Sequence, residues 1–163
     1  MMKAEHLRQL HHAVESLRQR NDVVEVIQTL KEQLQHVEEP FVWASLDVNA
    51  LRHALPEHIK SGWIFVLKPD VGSGCHYHPN SIQHMVMIEG AGKSQIAGVT
   101  KTMLPFGAPD AALDKIWRVI SVGVPHEFFP EERPMVVVSF HTCEAGELEE
   151  VDCQSGKSRL YEG

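Results

Sequence analysis

The chain contains 11 histidines among its 163 residues, and the spacing of some of them favours metal chemistry. His76 and His78 are one residue apart, so in a β-strand both side chains project to the same face. Two imidazoles about 7 Å apart along a strand can close on one metal ion. A third histidine, His126, begins a later apolar segment. These residues predict a metal site, although a bare His-x-His pair also occurs on solvated hairpins.

Other reactive side chains nearby are expected on the opposite face. Cys75 directly precedes His76 and should point away from a metal, so no catalytic thiol is expected. His84 directly follows Gln83 in a predicted strand and should also point away, which indicates a structural role.

Three further residues are candidates for lining a substrate pocket. His141 lies on the last long predicted strand and reaches a pocket only if its face lines the interior of the fold. Trp63 and Phe128 are most simply core aromatics, and either could also form a pocket wall.

Two helices should precede the segment that carries these residues. Apolar residues recur at three- and four-residue spacing through residues 3–37, and Asn21-Asp22 interrupts the pattern. Helices are therefore predicted over residues 3–20 and 22–37. Their apolar stripe either packs on the main body, which is the simpler interpretation, or forms a dimer seam.

From Phe41 onward the pattern changes to short β-branched and aromatic runs bounded by Gly, Pro, Asn and Asp. No helix in this part is long enough for a parallel crossover, so an antiparallel barrel or sandwich is predicted. The predicted strands are Phe41–Ala44, Trp63–Leu67, Gln83–Ile88, Trp117–Val122 and Met135–Phe140.

The chain therefore divides into a helical extension (residues 1–40), a β-barrel (41–143) and an acidic C-terminal tail (144–163). The tail carries six acidic and two basic residues and is expected to form one edge strand or to be loose. Its carboxylates, including Glu147, Glu149 and Glu150, are expected to be solvated.

Composition excludes several classes of partner. The formal net charge is −7 and no basic stripe is present, so nucleic acid is not expected. No apolar run approaches the ~18 residues of a membrane span, and the N-terminus lacks the apolar core of a signal peptide. Three cysteines are an odd and sparse set, which argues against a disulfide framework and for a reducing compartment. A cytoplasmic protein is predicted.

Two motifs in this chain resemble those of the cupins, which are small jelly-roll β-barrels. The first cupin motif is Gly, five residues, His-x-His, three or four residues, Glu, six residues and Gly. His76, His78, Gln83 and Gly90 fall in this register, with Gln in place of Glu and Asp70 in place of the leading glycine.

The second cupin motif is Gly, five residues, Pro-x-Gly-x-x-His, three residues and Asn. This chain retains Gly123 and His126, while Lys115, Ser121 and Pro130 occupy the other three places. The resemblance covers residues 60–142 and implies a mainly β, antiparallel cupin-type jelly-roll barrel preceded by the two helices.

The resemblance also implies a ligand set for a mononuclear divalent transition metal. The family's ligands correspond to His76, His78, Gln83 and His126. An amide, unlike a carboxylate, cancels none of the metal charge, which favours anionic or enolisable chelating substrates. Gln is also a weaker ligand than Glu, so Gln83 either binds the metal or lies just outside the ligands. Fe, Mn, Ni, Cu and Zn all suit such a site.

Three-histidine cupins include dioxygenases that act on chelating diketone-like, thiol or enol substrates, so an enzyme of this type is expected. A lyase or isomerase acting on a small carboxylate is an alternative chemistry. A non-catalytic small-molecule binder or sensor is the other class of function, because fold alone does not decide function. Strand edges and apolar outer faces further predict a homodimer.

Overall fold

The structure is a computed structural model and describes residues 4–161. Two helices open the chain, α1 (Ala4–Arg18) and α2 (Asn21–Leu34), as the interrupted apolar pattern predicted. Leu10 and Val14 of α1 are fully buried. The indole N–H of Trp117 donates a hydrogen bond to Nδ1 of His11 over 3.1 Å. Both helices therefore pack on the main body.

The main body consists of strands that form two antiparallel sheets. One sheet has the order β1-β2-β9-β4-β7, and the other has the order β11-β10-β3-β8-β5-β6. A short helix, α3 (Leu113–Ile116), precedes β7. The strands are β1 (Phe41–Leu46), β2 (Ser61–Leu67), β3 (His76–Tyr77), β4 (Gln83–Glu89), β5 (Gly92–Ile96), β6 (Val99–Thr102), β7 (Arg118–Ile120), β8 (His126–Pro130), β9 (Met135–His141), β10 (Glu149–Asp152) and β11 (Ser158–Leu160).

Strand alternation in the first sheet separates two hydrophobic cores. On β9, Val136 and Val138 belong to the core shared with the helices, while Met135 and Val137 belong to the core between the sheets. Every residue of β2 and β9 is buried because both faces of this sheet are covered. The parity of β9 consequently sends His141 to the same inner face as Val137.

The hairpin of β5 and β6 was not predicted from the sequence. Its strands are polar, and β6 is exposed throughout. The hairpin turns at Ala97 and Gly98, whose φ angles of 51° and 81° are both positive. Positive φ at two consecutive residues is typical of the two-residue turns that match strand twist. The strands are thus defined by the turn and by pairing with β8, and no hydrophobic alternation marks them.

The acidic tail differs from the loose segment or single edge strand that was expected. It forms two strands, of which β10 pairs with β3 and β11 pairs with β10. The Asn80 side chain contributes to this attachment because its Oδ1 accepts a hydrogen bond from the Glu149 N–H over 3.3 Å. The tail is therefore built into the second sheet next to the His-x-His segment.

The expectation that the cysteines form no disulfide is wrong for one pair. Cys75 and Cys153 are disulfide-bonded, with Cα atoms 5.5 Å apart and a sequence separation of 78, while Cys143 is free. The pairing of β3 with β10 places His76 opposite Asp152, so the two flanking cysteines are also opposite one another. This proximity arises from strand pairing across a long sequence separation, which cysteine spacing alone does not show.

Within residues 4–161, no helix combines the length and the apolar character needed to cross a membrane.

Candidate metal centre

Three histidines converge between the two sheets. Atoms of His76, His78 and His126 that could bind a metal all lie within 4.8 Å of one another. His76 and His126 are directly opposite in the pairing of β3 with β8, and His78 follows β3 by one residue. All three are buried, with exposed fractions of 9%, 4% and 1%. Two short strand segments therefore place three imidazoles around one point.

Backbone carbonyl groups fix which nitrogen of each ring is available. Nδ1 of His76 lies 3.0 Å from the carbonyl oxygen of Gly74, and Nδ1 of His126 lies 2.9 Å from that of Val124. Nδ1 of His78 lies 2.8 Å from the carbonyl oxygen of Glu149. A carbonyl can only accept, so each Nδ1 carries the proton and each Nε2 keeps its lone pair. Histidines that bind metals are commonly oriented in this way.

Two buried acceptors at the centre have no hydrogen-bond partner among the described residues. They are Nε2 of His126 and Oε1 of Gln83. A buried acceptor without a donor costs about 1–3 kcal/mol, so such atoms call for an explanation. A bound cation supplies one, because imidazole nitrogen and amide oxygen are both metal ligands. The residues present therefore fit a divalent transition metal.

A hydrogen-bonded chain behind the centre orients Gln83. Its Nε2 donates to Oγ of Ser139 over 3.0 Å, and that hydroxyl lies 3.2 Å from Nε2 of His141. Nδ1 of His141 lies 2.9 Å from Oγ of Ser81, whose hydroxyl donates to the Ile82 carbonyl. All these contacts are satisfied when His141 is protonated at Nδ1 and Ser139 donates to it. The amide nitrogen of Gln83 then faces Ser139, which leaves Oε1 unpartnered.

Burial keeps His78, His126 and His141 neutral. The pKa of His78 is lowered to about 4, mainly by desolvation and in part by repulsion from the adjacent His76. Desolvation also lowers the pKa values of His126 and His141 well below 6.5, with additional repulsion from neighbouring histidines. A neutral imidazole is the form that binds a metal. His78 and His126 therefore present lone pairs rather than positive charges at neutral pH.

A cavity of about 30 Å³ lies against the centre, with room for roughly two water molecules. His141 and Phe128 line it, whereas Trp63 is fully buried behind Tyr161, with ring centroids 5.7 Å apart. Its lining comprises Phe41, Phe65, Leu67, Ser73, His76, His78, Gln83, Met85, Phe128, Val137, His141 and Tyr161.

Outside the cavity, a groove of about 360 Å³ runs along the tail. Phe41, Ser73 and His76 border both spaces, and Lys157 and Arg159 line the groove alone. The groove therefore reaches His76 from the outside and is lined by two basic side chains and by the three acidic side chains of Glu39, Glu150 and Asp152.

His84 lies on the other face of β4, as its position after Gln83 predicted. It is 1% exposed, and its Nδ1 is 3.3 Å from the carbonyl oxygen of Phe140. Its ring packs 5.8 Å from that of His58, on the helix side of the sheet. His84 is therefore a core residue and does not contact the metal centre.

Sequence reasoning missed a group of residues in the tail. Glu150 was expected to be solvated, but it is only 8% exposed and its Oε1 lies 3.5 Å from Nε2 of His76. Its other oxygen accepts a hydrogen bond from Arg159 over 2.7 Å, and the Tyr161 hydroxyl donates to Oε1. The sequence gives one indication that the tail is packed against the fold, because Leu148, Val151 and Tyr161 are apolar or aromatic within a polar segment.

Solved structures share this architecture at low sequence identity. A variant of salicylate 1,2-dioxygenase from Pseudoaminobacter salicylatoxidans has a TM-score of 0.60 at 12% identity, covering 80% of this chain and 38% of that one. Another variant of that enzyme, in complex with gentisate, has a TM-score of 0.59 at 14% identity, covering 80% and 36%. The coconut allergen cocosin has a TM-score of 0.53 at 12% identity, covering 71% and 29%.

This chain thus spans little more than a third of the dioxygenase's length. No protein-family model matches the sequence, and no curated protein is significantly similar to it. The structural neighbours are cupins, and the two antiparallel sheets correspond to theirs. The chain has the cupin-type jelly-roll fold predicted from its motifs, with a three-histidine group that could hold a metal ion.

Proposed function

We propose that this protein is a mononuclear metal enzyme of dioxygenase type that acts on a small, chelating, anionic or enolisable substrate. The observation that carries the proposal is the convergence of three imidazoles whose Nδ1 atoms are fixed by backbone carbonyls. When bound, a redox-active metal would polarise a chelating substrate and exchange electrons with it. His76, His78 and His126 would hold that metal, with Gln83 at its side.

The remaining side chains bind and orient the substrate. The inner cavity of about 30 Å³ is too small for an organic substrate, whereas the outer groove of about 360 Å³ has the size of a small ligand site. Lys157 on the groove would attract an anionic group, whereas Arg159 is already paired with Glu150. The apolar wall formed by Phe41 and Phe128 would exclude water near the histidines.

The experiment starts with metal content. Untagged protein is purified, its metals are measured by elemental analysis, and the metal-free protein is reloaded with Fe²⁺, Mn²⁺, Ni²⁺, Cu²⁺ or Zn²⁺ in turn. Oxygen consumption is then followed with a panel of chelating acids that includes gentisate and salicylate. Oxygen uptake that depends on both metal and substrate supports the proposal. Protein that binds no metal under any of these conditions overturns it.

A non-catalytic binder or sensor is the second candidate function, and the small cavity favours it. A site with room for roughly two water molecules can hold a metal without admitting substrate. This candidate predicts stoichiometric metal, ligand-induced stabilisation against heat, and no oxygen uptake or turnover with the same panel. A lyase or isomerase would instead turn over a small carboxylate without consuming oxygen.

We also propose a homodimer and a cytoplasmic location. The apolar side chains of Val99, Val119 and Val122 are 55%, 38% and 51% exposed and would be covered by a second copy. Sedimentation equilibrium tests the dimer.

The Cys75–Cys153 disulfide weighs against the cytoplasm, where thiols are kept reduced. Fractionation of cells that express the chain, with thiols trapped at lysis, tests the location.

A further inference from the structure

Two hydrogen-bond acceptors face each other at the edge of the metal centre. Nδ1 of His76 donates to the Gly74 carbonyl, so its Nε2 carries a lone pair. Oε1 of Glu150 lies only 3.5 Å from that Nε2, and both side chains are buried. Lone pairs that face each other at this distance repel unless a positive charge lies close to both. A cation bound at Nε2 of His76 would make this contact favourable.

The other acceptors of the centre favour the cation. A proton on His76 would pair with Glu150 but would leave Nε2 of His126 and Oε1 of Gln83 without a donor. A divalent cation between His76, His78 and His126 would instead supply a partner for Nε2 of His126 and would place a positive charge beside Glu150.

The carboxylate of Glu150 is held in position by its own contacts. Arg159 fixes Oε2, and Tyr161, which is 3% exposed, fixes Oε1 on the side of His76. The guanidinium of Arg159 lies 5.2 Å from the ring centre of Phe41 and 5.4 Å from that of Tyr161, which restricts its movement. A buried carboxylate with this much support is a built feature of the fold rather than part of a solvated acidic end.

We propose that Glu150 supplies the metal centre with the carboxylate charge that Gln83 lacks. The inference rests on the proposed metal site and deepens it. The cupin motif has its carboxylate at position 83 on β4, whereas here the carboxylate is supplied by Glu150 on β10. Glu150 is not one of the three residues whose ligand atoms all lie within 4.8 Å of one another, but it lies beside them, next to His76. It is a charge-balancing residue on the side of His76, where the groove opens.

The test measures the Zn²⁺ dissociation constant of the full chain by competition with a chromogenic chelator. Glu150→Gln removes the charge and keeps the shape, and we expect binding to weaken about 10- to 100-fold. Gln83→Glu in the same chain restores a carboxylate from the opposite side, so the double variant should return to within a few-fold of the wild type. Glu144→Gln is the matched control, since it removes one negative charge from an exposed position of the same tail, and it should bind as the wild type does.

The possible outcomes separate the inference from the proposal on which it depends. A wild-type protein that binds no Zn²⁺ overturns both. A wild type that binds Zn²⁺ while Glu150→Gln binds equally well overturns the role of Glu150 alone. Tighter binding by Glu150→Gln would also overturn it, because a carboxylate that balances the metal charge cannot weaken metal binding. If Glu150→Gln does not fold, the Zn²⁺ affinity of Tyr161→Phe is measured instead. We expect that variant to bind Zn²⁺ several-fold more weakly than the wild type, and an unchanged Zn²⁺ affinity would contradict the inference.

Discussion

His76 lies directly opposite His126 where β3 pairs with β8, and their ring centroids are 4.4 Å apart. Two residues separated by 50 positions are thus brought together by the strand register. Because β3 contains only His76 and Tyr77, the geometry of the centre depends on the neighbouring strands that hold this short segment.

Replacing His78 with Ala should remove most of the bound metal, because it deletes one of three imidazoles that converge on one point. Metal content per chain, measured after exhaustive dialysis, checks this outcome. His84→Ala is the control, since that ring lies on the helix side of β4 and should leave metal content unchanged. Equal loss in both variants would show that the strand alternation does not place the ligands as described.

Gln83→Glu should tighten binding of a divalent metal and weaken binding of a small anion. The added carboxylate cancels part of the metal charge, which strengthens the ligand set and reduces attraction for a second anion. Calorimetric titration of metal-free protein with the metal gives the first affinity. Titration of metal-loaded protein with oxalate, a small chelating dianion, gives the second. No change in either affinity would place Gln83 outside the site.

Acid should destabilise the fold partly through His84. Its pKa is lowered from 6.5 to about 4, mainly by burial and in part by His58 and His6. Between these values the unfolded chain binds a proton that the folded chain does not, so stability falls as the pH drops from about 6.5 to 4. The full effect is about 3 kcal/mol.

Urea unfolding of metal-free protein at pH 7.5 and pH 5 tests this effect. His84→Gln should be less stable at pH 7.5 but should lose less stability than the wild type on acidification. His53→Gln, at an exposed position, should keep the wild-type difference between the two values. A wild-type pH dependence in His84→Gln would assign the acid sensitivity to other histidines.

Much of the fold and of the histidine group could be predicted from the sequence, because both follow from local rules. Period-two alternation places His76 with His78 and separates Gln83 from His84, and hydrophobic runs mark β2, β4 and β9. The environment of Glu150 could not be predicted in this way. Its partner His76 is 74 positions away, and the single apolar residue of β10, Val151, is too weak a signal to predict the pairing of β10 with β3.

Removing the disulfide should destabilise the folded protein by about 2–4 kcal/mol, because the bond closes a long loop and thereby restricts the unfolded chain. Cys153→Ser in urea unfolding tests the effect. Cys143→Ser, which changes a free thiol, should differ from the wild type by much less. Thiol titration of denatured, unreduced protein should detect one thiol per chain, and three would contradict the bond.

The N-terminal helices should be integral to the fold. Leu10 is fully buried in the core shared with the first sheet, so Leu10→Ala should cost about 2–5 kcal/mol in the free energy of unfolding. Val24→Ala, at a side chain that is 54% exposed, should change it by less than about 0.5 kcal/mol. Deletion of residues 1–38 should give insoluble or metal-poor protein, and a soluble, metal-replete truncation would contradict this prediction.

The pairing of β10 with β3 also has a consequence for the order in which the molecule is assembled. During synthesis the three histidines leave the ribosome before Glu150, Cys153, Arg159 and Tyr161. A nascent chain that ends before residue 149 therefore carries the imidazoles but lacks the charged neighbour, the covalent tether and the backbone carbonyl that orients His78. Metal capture by the growing chain should consequently be weak until β10 has emerged and joined the sheet.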